Sequence, residues 1–194
     1  MALFARRNDK KSSSQLGRAS TKITCIAGNI VTIGTHVIVN AANPGLGAGG
    51  GVCGAIFTAA GLDTLQAACD KHGHCPTGSA VVTPAFGIEK HGTRHIIHAV
   101  GPVFDRSRAA ECDKELVSAY REALRLAESI GARSIAFPAI STGIFLFPAE
   151  RAARLVAELL TTESFDLDEI VLMALEDEKV ALYADALAAA QSNR

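Results

Sequence analysis

Short apolar runs alternate with amphipathic stretches along most of the chain. Segments 22–28 (KITCIAG) and 36–42 (HVIVNAA) are rich in β-branched residues and bounded by glycine or polar turns, which predicts strands. The same pattern recurs at 79–85 (SAVVTPA), 94–100 (RHIIHAV), 134–139 (SIAFPA) and 169–175 (EIVLMAL). Between these runs the period changes. Residues 52–61 and 62–73 read as helices, the second with Leu62, Leu65 and Cys69 at helical spacing. Segment 109–130 places Leu116, Ala119, Tyr120, Ala123, Leu124 and Ala127 on one face of a long helix. Helices are predicted again over 149–160, with Pro148 just ahead, and over 178–190. Strands that alternate with helices, several of them apolar throughout, point to an α/β sheet covered on both faces. The chain shows no internal repeat and no interdomain linker.

Composition narrows this picture. With 194 residues, 48 % of them hydrophobic, the chain can form one globular unit with a full core. A net charge of −1 argues against a dedicated nucleic-acid or membrane-surface binder. That charge is uneven: residues 1–20 carry five basic side chains against one acidic, a net +4, and the remainder −5. With Ser12, Ser13 and Ser14 and little apolar matter, 1–20 is expected to be a disordered basic tail, ahead of one domain over 21–194. No apolar run approaches the roughly 18–20 residues of a membrane span. Five irregularly spaced cysteines (25, 53, 69, 75 and 112) fit reduced thiols in a cytoplasmic protein.

The chemistry concentrates in two uncharged loops. The first is the stretch NAANPGLGAGGGVCGAI (40–56), between a strand and a helix. Gly45, Gly47 and Gly50 satisfy G-x-G-x-x-G, yet NAANP intervenes where that fingerprint needs its first glycine at the turn. The acidic partner would be Asp63 or Asp70, both at helical positions. No Gly-Lys-Ser/Thr follows, which excludes a P-loop. The second loop, PAISTGIFLFP (138–148), offers Ser141, Thr142 and Gly143 at a strand's C-terminal end. Two glycine-bearing loops without Lys or Arg would clasp a diphosphate through backbone N–H groups. Such a pair is poorly suited to metal-assisted phosphoryl transfer. Plainer readings stand beside these. Asn43 also suits a turn before Pro44. Cys53 can be a small residue under a helix start, and no base in its motif would activate it as a nucleophile. His98 reads as a core histidine. Cys69, His72, His74 and Cys75 crowd four ligands into seven residues, too close to surround one zinc. Ser141 and Thr142 lie too far ahead of Ala149 to cap its helix.

Five motifs together resemble the macrodomain family: AGNI (27–30), VIVNAAN (37–43), GGGVCGAI (49–56), IIHAVGP (96–102) and SIAFPAISTGIF (134–145). They occur in the family's order, and the likeness spans about residues 22–190. The resemblance implies a three-layer α/β/α sandwich on a mixed, mostly parallel sheet of about six strands. It also implies binding of ADP-ribose, and in many members its hydrolytic removal from modified side chains or related esters. The binding set carried over is Asn29, Ile30, Ala41, Asn43, Gly49, Gly50, Gly51, Val52, Cys53, Ser141, Thr142, Gly143, Ile144, Phe145, Leu175 and Glu176. Within it Asn29 matches an acidic residue that accepts from the adenine amino group, a role an amide oxygen can fill with a hydrogen bond weaker by about 1 kcal/mol. Asn43 matches the asparagine that orients the distal ribose, and Phe145 an aromatic beside it. Residues 49–52 and 141–145 match the two diphosphate loops, and Leu175 or Glu176 a residue beside adenine.

Two departures bear on catalysis. The usual catalytic-loop Asp is Cys53 here, and a frequent His is Phe57, although alphavirus-type members that are hydrolases also carry GVCxA. The catalytic candidates are therefore Asn43 and Cys53. No cofactor and no metal are expected; zinc-dependent macrodomains carry a Cys/His-bearing insertion that this chain lacks. The expected partners are ADP-ribose and ADP-ribosylated protein or nucleic acid. A hydrolase and a non-enzymatic reader both remain open, as does the oligomeric state.

Overall fold

Alternate side chains of the central strands enter opposite faces of one sheet, as the two-residue period requires. In β2 (Val37–Ala42), Val37 and Val39 join one core while Ile38 and Ala42 join the other. The same division holds in β4 (His95–Val100), β5 (Ser134–Pro138) and β6 (Glu169–Ala174): Ile97, Phe137 and Leu172 face one way, Ile96, Ala136 and Val171 the other. These strands are buried on both sides, which is why they read as continuously apolar. The computed structural model describes residues 21–192; the tail expected over 1–20 lies outside them.

With β1 (Lys22–Ala27) and β3 (Ala80–Pro84) the sheet has six strands in the order β1-β6-β5-β2-β4-β3. All neighbours are parallel except β3, which runs antiparallel to β4. One face is covered by α1 (Gly51–Ala60) and α2 (Leu62–Asp70), the other by α3 (Ala109–Ser129), α4 (Ala149–Thr162) and α5 (Asp177–Ser192). The result is the expected three-layer α/β/α sandwich on a mixed, mostly parallel sheet. The apolar stripe of α3 is buried as its spacing predicts, with Leu116, Ala119, Tyr120, Ala123, Leu124 and Ala127 all in the core. Helices α1 and α2 meet at 105° around Gly61, whose φ of +99° a side chain would resist. No single helix of the described residues is long and apolar enough to cross a membrane.

This topology positions the site. Strands β1, β6, β5 and β2 are adjacent and parallel, so their C-terminal ends lie in a row along one edge. In open α/β sheets that edge is where ligands bind. Residues 28–30, 174–176, 139–147 and 43–50 leave the sheet there in the same spatial order.

Candidate functional site

A groove of about 380 Å³ runs along this edge. Its lining brings together every residue of the expected binding set: Asn29, Ile30, Ala41, Asn43, Gly49 to Cys53, Ser141 to Phe145, Leu175 and Glu176. Gly28, Gly101, Met173, Ala174 and Lys179 also line it. Gly101 falls within the quoted motif IIHAVGP, whereas nothing in the sequence singled out Lys179.

The glycine loop is held from below. Leu46 adopts φ +55° and buries its side chain to 1 % exposure, plugging the loop into the core. Gln66 of α2 accepts from the Ala48 N–H at 3.0 Å and donates to the Leu46 carbonyl at 3.5 Å. Asn43 closes the turn: its Nδ2 donates to the Gly47 carbonyl at 2.8 Å and its Oδ1 accepts from the Gly47 N–H at 3.3 Å. Asn43 thus serves the turn and lines the groove at once. Gly54 lets α1 pack against the loop, since a Cβ there would stand 2.6 Å from the Gly49 carbonyl oxygen. Helix α1 then opens on Gly50 with no side-chain cap. The N–H groups of Gly49, Gly50, Gly51, Val52 and Cys53 take no protein acceptor among the described residues. A helix start of this kind attracts anions through free N–H groups and the helix dipole.

The second loop is anchored at its two ends. Tyr120 Oη accepts from the Ile140 N–H at 3.3 Å and donates to the Pro138 carbonyl at 3.1 Å. Phe147, 2 % exposed, meets Phe104 edge to face at 5.0 Å, and the Phe104 N–H donates to the Phe145 carbonyl. Between the anchors Ser141 (φ +64°) and Leu146 (φ +57°) occupy left-handed backbone, uncommon outside glycine. That path leaves the N–H groups of Ser141, Gly143, Ile144 and Phe145 without protein acceptors among the described residues. Ser141 Oγ is buried without a partner, and a Cβ on Gly101 would come within 2.3 Å of it. Neither Ser141 nor Thr142 caps α4, whose N-cap is Pro148; Thr142 Oγ1 instead donates to the Ala139 carbonyl.

Electrostatically the groove is nearly bare. Its only charged side chains among the described residues are Glu176 and Lys179, ion-paired at 3.3 Å near the β6 end. No carboxylate lies at the Asn43 end. There Cys53 is 5 % exposed, and its Sγ stands 3.6 Å from Asn40 Nδ2 and 3.9 Å from the Gly47 carbonyl oxygen. Behind it Asn40 Nδ2 lies 3.1 Å from His98 Nδ1, and His98 Nε2 lies 2.9 Å from Thr83 Oγ1. His98 is the satisfied core histidine its apolar strand implied, its pKa pushed down to about 4 by burial and then by His72. Sequence reasoning passed over Asn40, which the alternation of β2 turns into the core.

The possible metal ligands are dispersed. Cys69 packs against His98, Cys75 is buried behind Pro44 and accepts no place in the groove, and His72 reaches the Val82 carbonyl. Among the described residues no group of three or more His, Cys, Asp or Glu side chains is arranged to hold a metal.

Residues 39–156 match the family model described as Macro domain. A macro domain-containing protein of Caldanaerobacter subterraneus subsp. tengcongensis is 41 % identical over 170 residues, covering 85 % of this chain and 95 % of the relative. A Klebsiella pneumoniae protein named O-acetyl-ADP-ribose deacetylase is 42 % identical over 170 residues, 84 % and 94 % of the respective chains. Among solved structures, a mutant Oceanobacillus iheyensis macrodomain with ADPR superposes with a TM-score of 0.79 at 31 % identity, covering 88 % of this chain and 92 % of that one. A Trypanosoma brucei macrodomain in complex with ADP-ribose gives 0.74 at 30 % identity, covering 85 % and 68 %.

Proposed function

Because this chain belongs to the macro domain family, we propose that its groove binds ADP-ribose and that the protein is a hydrolase of ADP-ribose linkages. It would release mono-ADP-ribose from a modified macromolecule or cleave a related ester. The observation that carries the reading is the pair of uncharged loops whose free N–H groups line one groove. A diphosphate accepts from many donors at once, and backbone donors hold it without the mobile side chains of a kinase site. The apolar walls of Ile30, Met173 and Leu175 suit a base, while Asn43, Phe145 and Cys53 suit the second ribose. Relatives named as deacetylases of O-acetyl-ADP-ribose support an ester-type linkage.

The chemistry then follows from the groups present. For ADP-ribose linked to an Asp or Glu side chain, water forms a bond to the anomeric carbon of the distal ribose and the departing carboxylate leaves with the electrons of the broken C–O bond. A carboxylate is a stable leaving group and needs little help from an acid. The water's proton then passes to solvent, since no carboxylate base lines this end. For an O-acetyl ester, water attacks the acyl carbon and the ribose oxygen leaves, taking up the water's proton. Rate enhancement therefore rests on holding sugar and diphosphate in register, which is catalysis by proximity. Asn43 orients the ribose, and Cys53 shapes the floor without acting as nucleophile.

One experiment tests both halves of the reading. Calorimetry should give micromolar binding of ADP-ribose, about −8 kcal/mol. Release of ADP-ribose is then measured from proteins modified on Asp/Glu, Ser or Arg, and from O-acetyl-ADP-ribose. Asn43→Ala should lower turnover about 100-fold, since a ribose misplaced by about 1 Å costs that much. Cys53→Ala should keep most activity, and Cys53→Asp should keep or raise it. Binding without release by both wild type and Cys53→Asp would make the protein a non-enzymatic reader instead.

A further inference from the structure

Two leucines stand in left-handed backbone, and they differ in what surrounds them. Leu46, at φ +55°, is 1 % exposed, so the core it fills offsets the strain. Leu146, at φ +57°, is 74 % exposed and fills nothing within this chain. A glycine would hold that turn without strain and without an apolar side chain in water. Leu146 is not isolated. Six large apolar side chains are exposed among the described residues, and three of them, Val103, Ile144 and Leu146, lie on the loops after β4 and β5. The Phe104 N–H donates to the Phe145 carbonyl at 2.8 Å. Covalent reach then keeps the Cα atoms of Val103 and Leu146 within about 8 Å of each other. The three positions make one apolar rim, the kind of exposed patch that marks a surface for a partner.

The rim sits at the Asn43 end of the groove. Strands β4 and β2 are parallel neighbours, so the loop carrying Val103 leaves the sheet beside the one carrying Asn43. Phe145, next to Leu146, lines the groove itself. In the ADP-ribose reading, the group joined to the distal ribose emerges here. An acetyl group would leave Val103 and Leu146 in water, whereas a polypeptide would cover them. Charge separates polypeptide from nucleic acid. Residues 43–50 and 141–148 carry no charged side chain. Beyond Val103, Arg108 is engaged by Glu111 and Glu115, and the Asp105 carboxylate accepts from Ser107. Arg106 is left as the unpaired cation of residues 101–108. One cation is too few for a nucleic-acid strand, whose affinity comes from neutralising many phosphates. We propose that Val103, Ile144 and Leu146 dock the polypeptide that carries the modification, through apolar side chains flanking the ADP-ribosylated residue. The proposal rests on the ADP-ribose reading and narrows its substrate to protein modified within an apolar segment.

Calorimetry on the full chain compares ADP-ribose with two peptides that bear ADP-ribose through a glutamine amide, a stable stand-in for the glutamate ester. One peptide has leucine on both sides of the modified residue, the other serine. Wild type should bind the leucine-flanked peptide about fivefold or more tightly than the serine-flanked one, as partial burial of a leucine side chain supplies that much. Val103→Thr and Leu146→Asn make the rim polar. Threonine keeps a β-branched side chain, and asparagine tolerates left-handed backbone. The double variant should bring the two peptides within about twofold of each other and keep ADP-ribose affinity within about twofold of wild type. A flank preference absent from wild type, or one that survives the double variant, overturns the proposal. So does tighter binding of a DNA oligonucleotide carrying ADP-ribose on its terminal phosphate, which would assign the rim to nucleic acid. If Leu146→Asn disturbs the loop and ADP-ribose binding falls with it, Val103→Thr alone should lower the flank preference about twofold, and an unchanged preference overturns the rim. If wild type does not bind ADP-ribose, the ADP-ribose reading falls and takes this proposal with it. If ADP-ribose binds and the flanks make no difference, only the rim is lost.

Discussion

Replacing Tyr120 by Phe removes one oxygen from the floor of the second loop and little else. The ring stays stacked on Phe137, whose centroid is 4.9 Å away, so no large cavity opens. What is lost is the acceptor for the Ile140 N–H, the donor to the Pro138 carbonyl and the 3.4 Å contact with Tyr183 Oη. Burial makes this expensive, because unsatisfied buried groups cost about 1–3 kcal/mol. A loss of about 2 kcal/mol is expected, or roughly 4–8 °C in Tm for a domain of this size. Pro138 and Ile140 straddle the point where the loop leaves β5. Their loosening should therefore shift the N–H groups of Ser141 to Phe145 and weaken ADP-ribose binding about tenfold. A second signature lies in alkali. Burial pushes the Tyr120 pKa up to about 12 from an ordinary value of 10.0. The unfolded chain therefore loses this proton first, and folded stability is full below pH 10 and falls as pH rises toward 12, by at most about 1.4 kcal/mol per unit. The gap between wild type and Tyr120→Phe in urea unfolding should narrow over that window. A variant within about 0.5 kcal/mol of wild type at pH 7, with a constant gap into alkali, would refute the reasoning.

Acid probes the opposite layer. His98 is neutral in the fold with a pKa near 4, against an ordinary 6.5. Its contribution is complete above pH 6.5 and is lost as pH falls toward 4, by as much as about 3 kcal/mol. Urea unfolding at a series of pH values from 7 to 4.5 checks this, and a flat profile contradicts it. Gly54→Ala inverts the usual helix rule. Alanine normally gains about 1 kcal/mol over glycine in a helix interior, but here its Cβ would meet the Gly49 oxygen at 2.6 Å. The variant should be destabilised and bind ADP-ribose at least tenfold more weakly; calorimetry that shows unchanged affinity would mean the loop yields freely.

The strands and helices were legible because their patterns were locally consistent. Residues 37–42 and 95–100 announced strands by β-branched content, and the stripe of α3 by spacing. The loops were legible as candidate ligand loops because their glycines follow strand ends, where open α/β sheets place their ligands. What the sequence hid was long-range. That Tyr120 reaches from α3 to the start of the second loop depends on a contact 18 residues away in sequence and across a layer. The turn of the Asn29 amide toward Val31 depends on the backbone path after β1, which composition does not encode. Asn40 and Asn43 look alike in VIVNAAN, yet the pleat of β2 sends Asn40 to the core, while Asn43, just past the strand, lines the groove and braces the turn by bonding Gly47.

The strand order carries a last consequence, for how the site comes into being. β1 has a single neighbour, β6, and its first pair joins Lys22 to Glu169. The end of the groove beside Asn29 therefore takes its place only after a ring of nearly the whole domain has closed. Contacts so distant along the chain form late, because their loop entropy must be met before they stabilise anything. The loops after β2 and β5 can meet earlier, since those strands pair directly. A nascent chain would thus bring its two loops together before it completes the groove beside β1, so that in the ADP-ribose reading phosphate contacts precede the base contacts.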